Sequence, residues 1–191
     1  MRVKFAATGA AALIAVLAAI QPVAAKVDRD ERVTYYEVAG DNIDAIMEQL
    51  DTRGPPDDNG ERFHGRTDAR IDWAFNLHAV GEACGVRDVL TRFHVNLIMP
   101  RLSTGDEEVR EHFGEYVERL TVHETGHIDN ARKTALEIDA ALRALPAESS
   151  CKTMKEKANA LGHRLFDQGA ARDVVYDKTT EHGRIQGAHF P

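Results

Sequence analysis

At Pro100 the hydrophobic period of this chain switches from two to 3.6, which demands a sheet built before that point and long helices after it. The odd positions Ala69, Ile71, Trp73, Phe75, Leu77 and Ala79 are apolar, while Arg70, Asp72, Asn76 and His78 fall between them. That alternation buries one face of a strand. Phe93, Val95, Leu97 and Met99 repeat it until Pro100, and Gly81 to Asp88 connects the two runs, so an antiparallel pair is expected. Beyond Pro100, Thr104 and Glu107 have the spacing of a capping box. Val109, Phe113, Val117, Leu120, Glu124, His127 and Ala131 then recur at helical spacing. This helix should run to about Leu145, where Pro146 ends it.

The flanking segments fill in the plan. Val33 to Val38 is β-prone, and Asp41 caps an apolar pattern at Ile43, Ile46, Met47 and Leu50 that ends before Gly54. Gly54 to Gly60 consists of turn formers and reads as a solvated loop. A further helix starts near Ser149 or Ser150 and carries Met154, Ala158, Leu161 and Leu165. The tail from Asp173 to Pro191, with Gly183 and Gly187, sustains no period and reads as irregular. Strands first and helices after give an α+β class, a small antiparallel sheet packed on long helices.

With 191 residues the chain is long enough for one core and short for two. Arg2 and Lys4 precede an uncharged stretch from Phe5 to Val23, most apolar from Ala11 to Ile20 and closing in Val23-Ala24-Ala25. This reads as a secretory signal peptide, residues 1–25, cut after Ala25 to leave residues 26–191 as one domain in the periplasm or outside the cell. The stretch is too short and alanine-rich for the roughly 20 residues of a bilayer span, so no stable membrane insertion is expected after cleavage. Loss of Arg2 and Lys4 takes Lys and Arg from 24 to 22 against 31 Asp and Glu, and the formal charge from −7 to −9. Dispersed positive residues on an acidic chain disfavour nucleic acid as a partner. Cys84 and Cys151 are the only cysteines, and an oxidising compartment favours joining them in a disulfide.

Val122-His123-Glu124-Thr125-Gly126-His127 carries the chemistry. Residues four apart on a helix share a face about 6 Å apart along its axis, so His123 and His127 can converge on one Zn²⁺. Glu124 is displaced around the helix and can take a proton from a zinc-bound water as it attacks a carbonyl. A third protein ligand is needed. Asn130 and Lys133 stand where the metzincin extension requires Gly and His, and Glu137 lies about 15 Å along the helix from His127. The ligand therefore comes from a later segment: Glu156 or His163 on the following helix, or His182 in the Gly-flanked tail. Tyr176 is a candidate hydrogen-bond donor to a developing oxyanion, and Asp129 a candidate to orient a ligand imidazole. His64, His78, His94, His112 and His189 have no motif around them, and Trp73 reads as core.

Three stretches together are familiar: Leu120-Thr-Val-His-Glu-Thr-Gly-His127, Tyr176-Asp-Lys-Thr-Thr-Glu-His-Gly183 and Gln186-Gly-Ala-His-Phe-Pro191. They resemble the bacterial domain-of-unknown-function family 922, described as predicted secreted zinc-dependent proteases. The likeness runs over essentially the whole mature chain, including the strand with Trp73, Cys84 before the second strand and Cys151 at the last helix. It implies a zincin-like domain with one Zn²⁺ per chain that hydrolyses peptide bonds in a peptide or protein substrate. Elimination and resemblance together favour His182 as the third ligand. The resemblance also implies that Phe93 to Met99 is an edge strand that captures extended substrate. The competing expectation is a non-catalytic domain of the cell envelope that uses zinc to hold its C-terminal tail.

Overall fold

The computed structural model describes residues 27–57 and 59–190, and the signal peptide expected over residues 1–25 lies outside the described residues. In chain order the elements are β1 (Val27–Ala39), α1 (Ile43–Arg53), β2 (Arg66–Val80), β3 (Ala83–Thr104), α2 (Glu107–Arg143), α3 (Cys151–Thr180) and a 3-10 turn at Arg184–Gln186. Among the described residues no helix is long and apolar enough to cross a membrane.

Each helix opens on a side chain that accepts a hydrogen bond from an otherwise unpaired N–H of the first turn. Asn42, rather than Asp41, takes the Ala45 N–H at 2.9 Å. For α2 the cap is Asp106 on the Val109 N–H at 2.9 Å, and the expected pairing of Thr104 with Glu107 is not used. Ser150 caps α3 through the Thr153 N–H at 3.1 Å. Helix α2 ends at Arg143 with Ala144 as its cap, just short of Pro146.

The α+β class holds, but the sheet is mixed rather than antiparallel. Its strand order is β1-β3-β2. Strands β2 and β3 form the antiparallel pair that the alternation predicts, with Ile71 opposite Phe93. β1 joins the other side of β3 in parallel, Val27 opposite Thr91 and Tyr36 opposite Pro100. A parallel neighbour needs a crossover of a dozen or more residues, and α1 with β2 supplies it. The segment Phe93 to Ile98 is therefore the centre of the sheet, flanked on both sides, and cannot take up a substrate strand. Nor does Pro100 end β3, which continues to Thr104. The β2 ladder stops at Ile98, so the missing proline N–H falls where β3 has a single neighbour.

Helix α2 lays one long stripe on this sheet: Val109, Phe113, Tyr116, Leu120, His123, Glu124, Ala135, Ile138 and Leu142 are all buried. Helix α3 returns antiparallel along α2 and approaches closely at Gly169, where an added Cβ would stand 2.2 Å from Thr134 Oγ1. At its start Cys151 is bonded to Cys84 with Cα atoms 5.0 Å apart, as the export argument expects. Beside that bond the Cys84 and Glu148 backbones exchange hydrogen bonds of 2.7 and 2.9 Å.

Candidate metal centre

The antiparallel run of α3 along α2 decides what faces the motif. Thr134 meets Gly169, Asn130 meets Asp173, His127 meets Asp173 and Asp177, and His123 meets Tyr176 and Thr180. As the number rises along one helix it falls along the other. Imidazoles four apart on α2 thus look across at carboxylates four apart on α3.

Three donor atoms converge there. His123 Nε2 and His127 Nε2 are 3.3 Å apart, and Asp177 Oδ1 lies 3.3 Å from the first and 3.1 Å from the second. Donors at roughly 2.0 to 2.1 Å from a tetrahedral ion stand about 3.3 to 3.4 Å from one another, so this triangle has the size of one face of a zinc site. Among the described residues it is the group able to hold a metal ion. The outer nitrogens are also engaged: His127 Nδ1 with Asp173 Oδ1 at 2.9 Å, and His123 Nδ1 with Gln186 Oε1 at 3.0 Å. Such outer partners fix the tautomer and aim the inner nitrogen at the metal.

The imidazoles and carboxylates shift one another's titration strongly. Burial disfavours the charged form of His127, but its hydrogen bonds to Asp173 and Asp177 prevail and raise it to about 10. For Asp177 burial acts against the charge too, and the bonds to His123 and His127 overcome it and hold the carboxyl well below the usual range.

Glu124 is 3 % exposed. Burial pushes its carboxyl up, while the Thr67 hydroxyl, donating to Oε2 at 2.7 Å, and both imidazoles pull it down. Gly65 crosses directly over it: a Cβ there would stand 2.8 Å from Glu124 Oε1. Gly65, Thr67, His123, Glu124, His127, Asp173 and Asp177 line one cleft of about 630 Å³.

Other sequence candidates fall elsewhere. His182 stands beside the triangle rather than in it, with Nδ1 3.6 Å from Asp177 Oδ1, its ring 5.9 Å from that of Phe63 and its side chain 62 % exposed. Its neighbour explains the motif around it. Glu181, His182 and Gly183 all have positive φ, a left-handed turn in which Gly183 lies against His123: an added Cβ would be 2.9 Å from the ring. Tyr176 does not present its hydroxyl to a substrate, because it donates to the His123 carbonyl at 2.9 Å while the ring stacks on His123 at 5.3 Å. Asp129 pairs with Arg132 at the surface, and Asp173 takes the orienting place proposed for it. Glu156 and His163 lie roughly 31 and 21 Å along α3 from Asp177, and His163 packs on Trp73.

The absence of a sustained period from Asp173 hides Asp177, whereas α3 continues to Thr180. The signal was the pair Asp173 and Asp177, whose spacing repeats that of the two histidines. His64, which has no motif around it, belongs to the site as well. It lines the cleft, bonded to Tyr116 Oη at 2.6 Å and to Asp51 Oδ1 at 2.8 Å.

Comparison with known proteins gives one match. No curated protein and no solved structure matches the chain. Residues 33–183 match the family described as "Bacterial protein of unknown function (DUF922)". That span starts within β1 and ends at the glycine packed on His123, so it takes in the sheet, both long helices and every residue of the triangle. The chain belongs to the DUF922 family.

Proposed function

We propose that this chain is an exported zinc-dependent peptidase, in which His123, His127 and Asp177 hold the ion and Glu124 is the general base. The observation that carries this reading is that the donor triangle and Glu124, a buried carboxylate one residue from a ligand, line the same cleft. A catalytic site keeps one coordination position for water or substrate and borders a cleft that admits it, while a structural site fills all four positions with protein. Zinc, when bound, supplies Lewis-acid chemistry, polarising a carbonyl and acidifying water. Glu124 accepts the proton of the attacking water and returns it to the departing nitrogen, so the amide becomes a carboxylic acid and an amine. Burial favours that exchange by raising the affinity of the carboxylate for a proton, and Thr67 keeps Oε2 in place. Tyr176 is a positioning residue for His123, and the disulfide is consistent with an oxidising compartment.

The test has two arms. Zinc titration against a competing chelator should give one ion per chain, with losses beyond 100-fold for His123→Ala and Asp177→Ala and a smaller one for His182→Ala. Glu124→Gln should bind zinc normally and fail to cleave a broad peptide library that the zinc-loaded wild type cleaves. A chain that takes up zinc and leaves every peptide intact would favour the non-catalytic envelope domain instead.

A further inference from the structure

We propose that the cleft carries a side-chain pocket beside Glu124, built from Met47, Leu120, Ala188 and Phe190 with Phe63 at its mouth, that accepts a bulky apolar residue of a peptide. The peptide as ligand rests on the peptidase reading, whereas the pocket rests on packing. Leu120 and Phe190 belong to a buried core cluster, and Met47 and Ala188 pack against it. The same four residues line the cleft together with His123 and Glu124. Leu120 and Phe190 are each 4 % exposed and form the floor, while the half-buried Met47 and Ala188 form the walls.

Position ties this carbon to the chemistry. Leu120 lies one helical turn before Glu124. A Cβ at Gly65 would stand 3.1 Å from Leu120 Cδ1 and 2.8 Å from Glu124 Oε1, so the apolar floor and the carboxylate border the same spot. Only glycine fits at position 65, since a side chain there would press on both. The polar groups around the pocket are already committed. Tyr116 turns its hydroxyl to His64 and its ring edge to Phe190, with centroids 5.4 Å apart. Arg62 donates to the Gly54 carbonyl and Arg66 to Asp68. Arg184 pairs with Glu181, and the carboxylates Asp173 and Asp177 stand on the metal side. What remains favours aromatic or branched aliphatic carbon, whose transfer from water drives binding.

The zinc-loaded, full-length Glu124→Gln chain serves as a hydrolysis-free receptor. Fluorescent peptides differing at one position, Phe, Leu, Ala, Asp or Lys, are titrated by anisotropy, and a p-benzoylphenylalanine peptide is photocrosslinked and mapped by mass spectrometry. Phe and Leu peptides should bind roughly tenfold tighter than Ala, Asp or Lys peptides, with the label at Met47, Leu120 or the 188–190 tail. Met47→Glu should abolish the preference and Met47→Leu should retain it. Equal affinities, no peptide binding, a label elsewhere or a preference that survives Met47→Glu would each overturn the pocket. A preference of the expected kind, with no peptide cleaved by the wild-type chain, would leave the pocket standing and remove the peptidase reading.

Discussion

Gly126, inside the histidine motif, shows how a residue with no chemistry of its own can govern a site. A Cβ there would stand 2.1 Å from Tyr176 Oη, in the space of the ring that stacks on His123. Gly126→Ala should raise local helix propensity by about 1 kcal/mol yet displace Tyr176. Zinc affinity should consequently fall 10- to 100-fold, as for loss of an outer partner, with any gain in thermal stability cancelled. A chelator competition reads the first effect and calorimetry the second. The titrating groups give a second prediction, for the metal-free protein. His127 is raised from 6.5 to about 10, so its contribution to stability is complete below about pH 6.5 and is lost as pH rises through 10. Asp177 is depressed below its ordinary 3.8, and its contribution is present above that value and lost as pH falls through its lower native one. The difference in Tm between wild type and Asp177→Asn, both without metal, should be largest near pH 5 and shrink toward pH 10. Zinc affinity should run the other way and climb with pH, because ligation requires the unprotonated imidazole.

At the scale of elements, the disulfide joins the start of β3 to the start of α3. Its two cysteines are 67 positions apart in sequence, and loop-closure entropy assigns it about 4 kcal/mol. A Cys84→Ser, Cys151→Ser variant should lose most of that in denaturant unfolding while keeping the ladder from Ile71 to Phe93. Much of this architecture was legible. Strict alternation marked β2 and β3, and the run from Val109 to Ala131 marked α2, because one-sided burial writes its period into the sequence. The parallel addition of β1 was not legible: Val27–Tyr36 is mostly exposed and records no period that could assign a partner or a direction. The site divides in the same way. His123, Glu124 and His127 lie within one local motif. Asp177 becomes a partner only through the register of two helices, and register is fixed by contacts such as Gly169 on Thr134, which no local pattern reports.

For the molecule as a whole, the core continues into the tail. Phe190 is 4 % exposed and packs on Phe113 and Tyr116, so Phe190→Ala should cost about 3 to 5 kcal/mol in a denaturation measurement. Helix α3 is held differently, by fastenings at its two extremities: a covalent bond at Cys151 and, once an ion is present, coordination at Asp177. A rod clamped at one end frays from the other, and one clamped at both opens only when a clamp lets go. Reductant alone or chelator alone should therefore leave the amide protons of α3 largely protected against exchange, while the two together should release the helix as a unit and speed exchange by more than the product of the separate effects. Zinc supply and redox state would then act on this protein as the two keys of one lock.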